Sequence, residues 1–278
     1  MSVTYSEAVS IARDYYNSED ADSFYSIIWG GEDIHIGLYQ SDDEAITEAS
    51  HRTVRHMAET LGNINAETKI LDIGAGYGGA ARYLAETFGC SVTALNLSEK
   101  ENERNRSLNA ERGLSEQIDV VDGSFESIPA ADASFDVVWS QDAILHSGHR
   151  EQVIQEVARV LKPGGRFIFT DPMQSDDCPE GVLQPILERI HLSSLGSPAF
   201  YRDTAGRFGL HEKSFEEQTP QLIKHYSRVL QETEKLGADL SHRIDPDYIA
   251  RMKKGLGHWI DGGRKGYLAW GLFLFEKQ

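Results

Sequence analysis

The sequence predicts an α/β protein built on a doubly wound sheet, with helical segments before and after it in the chain. Short apolar strands alternate with helices between residues 65 and 172, and the first strand runs into a glycine-rich loop that opens a helix. Strands that are apolar throughout and alternate with helices are typical of a parallel sheet covered on both faces. Right-handed crossovers between such strands produce the doubly wound arrangement.

Residues 1–64 are predicted to form a helical N-terminal cap. Apolar and aromatic side chains recur at helical spacing within residues 11–16 and again within residues 54–61. An aromatic stretch that contains three glycines, FYSIIWGGEDIHIGLYQ, separates the two helical patterns.

Residues 65–172 carry the alternating pattern and are predicted to form the ligand-binding core. The helices are expected at AARYLAETFG, which should end at Gly89 as a C-cap, from Glu99 to about Arg112, and at HREQVIQEVARVLKPGG. The strands are expected, in order, at KILDIGAG, SVTALNLS, QIDVVDGS, SFDVVWSQDA and GGRFIFTDP.

Residues 173–278 are predicted to supply a lid over the substrate and the final strands of the sheet. FGLHEKSFEEQ and GYLAWGLFLFEKQ have the pattern of strands, and residues 220–260 between them have the pattern of helices. The apolar closing segment should join the sheet at its centre or its edge. Ligands of open α/β sheets bind at the carboxyl ends of the strands, so the helices are expected to cover that side.

The composition predicts a soluble, acidic cytoplasmic enzyme that binds neither nucleic acid nor a membrane. With 27 basic and 44 acidic residues, the formal net charge of -17 would repel nucleic acid and an anionic membrane surface. No segment approaches the roughly 20 consecutive apolar residues of a spanning helix, and the N-terminus lacks a secretory pattern. Two cysteines, Cys90 and Cys178, are too few for a disulfide framework and indicate a reducing compartment. The oligomeric state stays open.

The most informative segment is the glycine loop Asp72-Ile-Gly-Ala-Gly-Tyr-Gly-Gly, which follows a strand and opens a helix. Backbone N–H groups and the helix dipole face a ligand at such a junction. Gly74, Gly76 and Gly79 also match the dinucleotide pattern G-x-G-x-x-G. However, Asp72 suits the ammonium of S-adenosylmethionine better than a pyrophosphate, and the second strand ends in Asn96, where NAD binding prefers an acidic residue. The loop therefore favours S-adenosylmethionine over a nicotinamide cofactor.

Residues 65–172 resemble the class I S-adenosylmethionine-dependent methyltransferases. The resemblance rests on D-x-G-x-G-x-G at 72–78, the strand ending at Asn96, the stretch SFESIPAADASFDVVWS, and LKPGGRFIFTDP. It implies a Rossmann-like methyltransferase sheet, with S-adenosyl-L-methionine as cofactor and S-adenosyl-L-homocysteine as product. Family members usually carry acidic residues at the positions of Asn96 and Ser124, and Asp122 lies two residues away from the second. The implied cofactor-binding residues are Asp72, Gly74, Gly76, Gly78, Asn96, Leu97, Ser124, Phe125 and Gln141.

Segments outside the core resemble narrower groups of methyltransferases. IIWGGEDIHIGLY resembles the N-terminal lid of enzymes that act on small molecules such as tocopherol and phosphoethanolamine, which implies that Tyr25, His35 and Gly37 lie near the methionine end of the cofactor. The sarcosine/dimethylglycine N-methyltransferases are similar over nearly the whole chain. That similarity implies transfer to the amine of dimethylglycine, and of sarcosine, with glycine betaine as the product. The segments that carry it are SQDAILHS, TDPMQSDD, FYRDTA, KHYSRV and GLGHWIDGGR.

This chemistry requires groups for the substrate carboxylate and for the methylated nitrogen. An Arg fork is the natural partner of a carboxylate, and Arg202 beside Tyr201 is the first choice, with Arg264 the second. Aromatic faces stabilise the charge that develops on the nitrogen. The candidates for this role are Tyr25, Tyr226 and Trp259, while Met173 is expected to pack against the methyl groups.

The transfer is expected to be a direct SN2 displacement that moves a charge without creating one, so alignment should supply most of the acceleration. His146, just after the fourth strand, is the candidate for polarising or deprotonating the amine, together with a tyrosine, for which Tyr25 is the candidate. His225 is a weaker alternative to His146. We expect no metal, because His51 and His56 lack ligand spacing and transfer from a sulfonium needs no Lewis acid. The alternatives are an enzyme of the same fold that methylates a phosphoethanolamine-like or phenolic acceptor, a non-catalytic S-adenosylmethionine sensor, and an NAD oxidoreductase disfavoured by Asn96.

Overall fold

A computed structural model of the protein describes residues 7–240 and 242–278. Within these residues the strands form one seven-stranded sheet in the order β3-β2-β1-β4-β5-β7-β6. Strands β1 to β5 pair in parallel, and β7 runs antiparallel to both of its neighbours. The strands are β1 Lys69–Ile73, β2 Ser91–Asn96, β3 Ile118–Asp122, β4 Phe135–Gln141, β5 Leu161–Gln174, β6 Leu210–Glu217 and β7 Leu268–Lys277.

Helices cover both faces of the sheet, as the doubly wound prediction requires. A short 3₁₀ turn, Ile144–His146, follows β4 at the edge where the parallel strands end. The helices are α1 Glu7–Tyr16, α2 Glu19–Trp29, α3 Ile46–Leu61, α4 Gly79–Phe88, α5 Glu99–Glu111, α6 Arg150–Val160, α7 Gln184–Arg189, α8 Pro198–Arg207, α9 Thr219–Lys235, α10 Gly237–Leu240 and α11 Pro246–Arg264.

The sequence pattern located most of these elements, but it did not indicate α7 or α8, and α2 includes FYSIIW, the start of the stretch expected between two helical patterns. Two predicted helical regions also differ in their bounds. The helix predicted at HREQVIQEVARVLKPGG ends at Val160, and LKPGG already belongs to β5, where Gly164 adopts a φ of 75°. The helical region predicted over residues 220–260 is divided, because Asp245 caps a new helix that begins with Pro246. Gly89 ends α4 in the left-handed conformation, as predicted for a C-cap.

The strand predicted at the C-terminus lies inside the sheet, between β5 and β6. Its residues from Leu268 to Phe273 are all buried, which explains its unbroken apolar run. The predicted boundary between residues 172 and 173 therefore falls within β5, and both β6 and β7 belong to the same sheet as the core strands. The division into residues 1–64, 65–172 and 173–278 stays a prediction about which segments bind the cofactor and which cover the substrate. It does not divide the chain into separate sheets.

The N-terminal and C-terminal helices pack against each other. Phe24 and Trp29 of α2 share one buried apolar cluster with Val229 of α9 and with Met252 and Leu256 of α11. This cluster brings segments that are more than 200 residues apart to one side of the sheet. No helix of the described residues is long and apolar enough to cross a membrane.

Candidate functional site

Two adjoining cavities lie where the parallel strands end. The glycine-loop cavity is lined by Asp72, Gly74, Gly76, Asn96, Leu97, Glu101, Ser124, Phe125 and Gln141, among others. The aromatic cavity has a volume of about 630 Å³ and is lined by Tyr15, Tyr25, Trp29, Arg189, His225, Tyr226, Tyr248 and Trp259, among others. Residues that line both cavities mark the place where they join, and we call this set the junction: Ala12, Tyr16, Ile34, His35, Asp142 and His146.

The glycine loop needs residues without side chains at two points. Gly74 has a φ of +81°, and a Cβ atom there would overlap the Cβ of Ala143. Gly78 has a φ of +79° and begins α4 as its N-cap, where a Cβ atom would collide with Asn105. The loop therefore brings bare backbone and the N-terminus of α4 to the wall of the cavity, where they can contact a ligand closely.

Asp72 supplies a buried negative group at the end of β1. Its side chain lines the glycine-loop cavity, and no Lys or Arg of the described residues forms an ion pair with it. Burial raises the pKa of Asp72 to about 7. A buried carboxyl group that pairs with neither Lys nor Arg is well suited to a ligand that brings its own positive charge.

A second carboxyl group lies where the second strand ends, although Asn96 is not acidic. The Asn96 amide donates from Nδ2 to Oε2 of Glu101 at 2.8 Å, and Glu101 lines the same cavity. Burial raises the pKa of Glu101 to about 7. Glu101 was not predicted from the sequence, although the sequence contains a signal for it. Ser98 caps α5 and Glu101 follows three residues later, in the spacing of a capping box.

The side chains of Gln141 and His35 contact each other beside the junction. The Trp139 indole donates from Nε1 to Oε1 of Gln141 at 2.9 Å, which leaves the amide nitrogen of Gln141 at 2.9 Å from Nε2 of His35. The Nδ1 atom of His35 lies 3.2 Å from the carbonyl oxygen of Ile36. These contacts attach the segment after α2 to the end of β4.

Asp142 reinforces this attachment. Its carboxylate accepts hydrogen bonds from the backbone N–H of Ile36 at 2.7 Å and from the Trp270 indole at 2.8 Å, so it links the N-terminal segment to β7. The residue adopts a φ of +50°, and burial raises its pKa. A positive φ is rare for a residue that has a side chain, and such strained residues cluster at functional sites. The conformation of Asp142 therefore indicates a functional constraint at the junction. No local pattern in the sequence indicated this role.

His146 forms a pair with Tyr16 at the junction. The Tyr16 hydroxyl lies 2.9 Å from Nε2 of His146, and the two rings meet edge to face. Burial, with a smaller contribution from the charge of Arg189, lowers the pKa of His146 to about 4, so the imidazole is neutral near neutral pH. His146 was predicted from the sequence, whereas Tyr16 was noted only as part of a helical pattern.

The predicted aromatic residues line the aromatic cavity. Tyr25 packs against Trp29 with ring centroids 5.0 Å apart, and Tyr226 packs against Trp259 at 5.3 Å. Ring faces from α2, α9 and α11 thus surround one space, which can stabilise a cationic nitrogen.

Arg189, at the end of α7, brings a positive charge into this aromatic wall. Among the described residues no carboxylate lies within ion-pair distance of it, and its Nη2 contacts the sulfur of Met252 at 2.6 Å. A Cβ atom at Gly255 would lie 2.5 Å from Nη1 of Arg189, so the glycine leaves room for the guanidinium. Arg189 was not predicted, because nothing local distinguishes it from other arginines.

The two predicted arginines lie outside both cavities. Arg202 donates to Oε2 of Glu212 at 2.7 Å, and its guanidinium lies over the Phe215 ring at 4.9 Å. Arg264 is exposed at the end of α11. Neither side chain lines a cavity in which a ligand could bind. The structure therefore does not support the predicted contact of Arg202 or Arg264 with the substrate carboxylate.

Three further predicted residues lie behind the cavity walls. The buried Tyr201 hydroxyl donates to Oδ2 of Asp171 at 2.6 Å, and Oδ1 of Asp171 accepts from the backbone N–H of Leu145. Tyr201 thus supports the turn that carries His146 and lines neither cavity. Met173 is buried in the same apolar cluster as Tyr201. Gly37 packs closely on Ala49 of α3, where a Cβ atom would not fit.

Comparison with known proteins identifies similar sequences and structures. Residues 71–169 match the family model described as a methyltransferase domain. The sarcosine/dimethylglycine N-methyltransferase of Halorhodospira halochloris is 56% identical over 98% of this chain and 97% of its own length. The dimethylglycine N-methyltransferase of Parasynechococcus marenigrum is 52% identical over 97% and 96%. A crystal structure from Galdieria sulphuraria, described as a putative sarcosine dimethylglycine methyltransferase, matches with a TM-score of 0.91 at 46% identity over 95% and 99% of the two chains. The similarity therefore includes the helices that line the aromatic cavity as well as the core.

Proposed function

The chain belongs to the sarcosine/dimethylglycine N-methyltransferase family, and from this premise we propose that it methylates the amine of dimethylglycine, and of sarcosine, to form glycine betaine. The observation that carries the proposal is the joining of two different cavities at one junction. One cavity is lined by a glycine loop and buried carboxyl groups. The other is lined by aromatic rings and by Arg189, which has no ion-pair partner among the described residues. A cationic methyl donor and a small amino acid require these two environments side by side.

The residues of the glycine-loop cavity suit S-adenosylmethionine. When bound, this cofactor supplies an electrophilic methyl group on a positively charged sulfur. We assign the ammonium of its methionine part to Asp72, because no Lys or Arg of the described residues forms an ion pair with that buried carboxyl group. We assign the ribose hydroxyls to the hydrogen-bonded pair Asn96 and Glu101, and the adenine to Ser124 and Phe125. Because Gly74 has no side chain, the cofactor can contact the backbone of the glycine loop closely.

The residues of the aromatic cavity suit a small amine that carries a carboxylate. We assign the carboxylate to Arg189, whose guanidinium can bind both oxygens in a fork. Tyr25, Tyr226 and Trp259 surround the methylated nitrogen, and a cation over such rings gains about 1–2 kcal/mol when water is excluded.

The Tyr16–His146 pair lies where the nitrogen and the methyl group have to meet. Neutral dimethylglycine has no N–H, so its methylation needs an exposed lone pair and no base. Sarcosine does carry an N–H, and the neutral Tyr16–His146 pair offers an acceptor for it, on the Tyr16 oxygen or on the imidazole according to the tautomer of His146. Because a charge moves from sulfur to nitrogen without a new charge being created, holding the two groups in line supplies most of the acceleration.

The proposed function is tested by mass spectrometry of the products that form from S-adenosylmethionine with a labelled methyl group. Purified protein is incubated separately with glycine, sarcosine and dimethylglycine, and we expect labelled betaine from dimethylglycine and little product from glycine. Binding of the cofactor without any product would contradict the acceptor assignment. Product from phosphoethanolamine or from a phenol would identify another acceptor, and turnover with none of them would favour a sensor.

The affinity for S-adenosylmethionine is expected to fall as the pH is lowered below about 7. Burial raises the pKa of Asp72 to about 7, so acid converts it to a neutral carboxyl group that cannot pair with an ammonium. For one proton, the Kd should rise up to about tenfold per pH unit below that value. Isothermal titration calorimetry between about pH 5.5 and 7.5 measures this slope, and a slope that persists in Asp72→Asn would contradict the assignment.

Thermal unfolding provides a linked measurement. The folded-state pKa of Asp72 lies above that of an unfolded aspartate, so its stabilising contribution is complete below about pH 4 and is lost as the pH rises through about 7. When the ammonium of S-adenosylmethionine lies beside the Asp72 carboxylate, it stabilises the ionised form, and this loss of stability at high pH no longer occurs. The rise in Tm that S-adenosylmethionine causes should therefore be larger at about pH 8 than at about pH 6.

A further inference from the structure

The buried His225 has a defined tautomer. It lies in α9 and is fully buried, with Nδ1 at 3.2 Å from the backbone nitrogen of Gly37 and at 2.9 Å from the Tyr39 hydroxyl. A backbone N–H can only donate, so Nδ1 of His225 must be an acceptor. A neutral imidazole that accepts at Nδ1 carries its proton at Nε2. The contact with Gly37 therefore makes Nε2 a hydrogen-bond donor.

This donor has no partner in the part of the chain that the structure describes. The Nε2 atom of His225 is buried and forms no hydrogen bond with any of the residues that the structure describes. The residue lines the aromatic cavity, where its ring packs 5.3 Å from Trp29 and 5.7 Å from Tyr226. Buried polar groups without a partner are rare in folded proteins, and one at a cavity wall points to a ligand that supplies the acceptor.

His225 also stays uncharged. Burial, together with the neighbouring His35, lowers its pKa to about 3. It can therefore act neither as a cation nor as a general base in the neutral range, since Nδ1 already accepts hydrogen bonds and Nε2 holds the proton. The weaker sequence-based alternative, in which His225 deprotonates the amine, is not supported by this geometry.

We propose that the Nε2–H group of His225 donates a hydrogen bond to the carboxylate of the amine substrate, as a second contact beside Arg189. The proposal rests on the proposed function, because it needs an amino acid in the aromatic cavity. A sarcosine or dimethylglycine molecule has two kinds of acceptor, the amine lone pair and the carboxylate oxygens. A donor on the lone pair would block methylation, so a productive donor has to bind the carboxylate.

The arrangement makes recognition depend on two distant segments. Gly37 and Tyr39 belong to the segment after α2, and they orient a side chain of α9. If the N-terminal segment is displaced, His225 loses the contact that sets its tautomer. The donor for the substrate is therefore available only when this segment is packed in place.

Nitrogen-15 NMR of the histidine rings tests the tautomer directly in the wild-type protein. With S-adenosylhomocysteine bound, we expect the His225 signals of an imidazole protonated at Nε2, unchanged between about pH 5.5 and 8.5. Addition of dimethylglycine should shift the Nε2–H signals. A proton on Nδ1, or unshifted signals when saturation with dimethylglycine is shown by calorimetry, would overturn the proposal.

Two variants test the contribution to recognition. His225→Phe removes the donor and is expected to raise the KM for dimethylglycine roughly tenfold, with the Kd for S-adenosylmethionine unchanged. His225→Gln keeps an N–H at a similar distance and should recover part of the loss. N,N-dimethylpropylamine, which has no hydrogen-bond acceptor in place of the carboxylate, serves as the control substrate, and its reaction should change little in either variant.

The outcomes separate this proposal from the proposed function. If the wild-type protein methylates dimethylglycine and His225→Phe has the same KM, the hydrogen bond to the carboxylate is refuted while the function stands. If the wild-type protein does not methylate dimethylglycine, the proposed function itself fails. If neither variant folds, the NMR measurement on the wild-type protein still decides the tautomer and the contact.

Discussion

Arg189→Ala is expected to raise the KM for dimethylglycine about 30- to 100-fold and to leave the Kd for S-adenosylmethionine within about twofold. Arg189 lines the aromatic cavity and has no carboxylate partner among the described residues, so its charge is available to the substrate. It does not line the glycine-loop cavity, and its loss should not disturb the cofactor. Steady-state kinetics with each substrate varied in turn, combined with calorimetry for the cofactor, measure both quantities.

Arg202→Ala is the matched control for this substitution. Arg202 is paired with Glu212, is partly exposed, and lies outside both cavities. An exposed pair of this kind contributes at most about 1 kcal/mol to stability, so we expect both KM values within about twofold of the wild type. A large rise in the KM for the amine in Arg202→Ala, with none in Arg189→Ala, would return the carboxylate role to the arginine that the sequence suggested.

The carboxylate role that we propose for Arg189 could not be inferred from the sequence alone. Arg189 ends a six-residue helix, and its guanidinium occupies space that Gly255 leaves open, 66 positions later in the chain. Arg202 was chosen because it stands next to Tyr201 in a segment that resembles the family. The structure shows that this neighbour donates to Asp171 behind the cavity wall, which is a supporting contact and not a ligand contact.

The fold and the glycine loop were predictable because their signals are local. A strand that ends in Asp72 and enters a loop of closely spaced glycines shows its geometry within eight residues, and Gly74 adopts the positive φ that this loop requires. The central parallel strands β1 and β4 are buried on both faces, so each appears in the sequence as a short apolar run. The antiparallel strand β7 was also visible, but its place between β5 and β6 depends on pairing between distant segments.

The junction was only partly predictable because long-range contacts form it. His146 could be located from its position after β4, but its partner Tyr16 lies 130 residues earlier. Asp142 receives hydrogen bonds from Ile36 and Trp270, which no sequence spacing relates. The segment after α2 is therefore held in position by contacts with the sheet. Its aromatic residues could be identified from the sequence, but Asp142, whose carboxylate binds this segment, could not.

Asp72→Asn is expected to raise the Kd for S-adenosylmethionine about 100-fold at neutral pH, because the ammonium of the ligand would then be buried without a counter-charge. The substitution is nearly isosteric, so it tests charge and not shape. At about pH 8 the free protein should become no less stable, and its Tm should even rise, since the wild-type carboxylate is held ionised in a buried position there. Loss of affinity together with unchanged or higher stability is a combination that general misfolding cannot produce.

Asp122→Asn is the matched control for the charge at a strand end. Asp122 ends β3, accepts hydrogen bonds from Asn102 and Arg106, is exposed, and lines neither cavity. Its substitution should leave the Kd for S-adenosylmethionine within about twofold, with at most a small loss of stability. Equal weakening by both substitutions would mean that the overall negative charge near the strand ends attracts the cofactor. Weakening confined to Asp72→Asn would mean that one buried carboxylate binds its ammonium, which is the distinction on which the cofactor assignment depends.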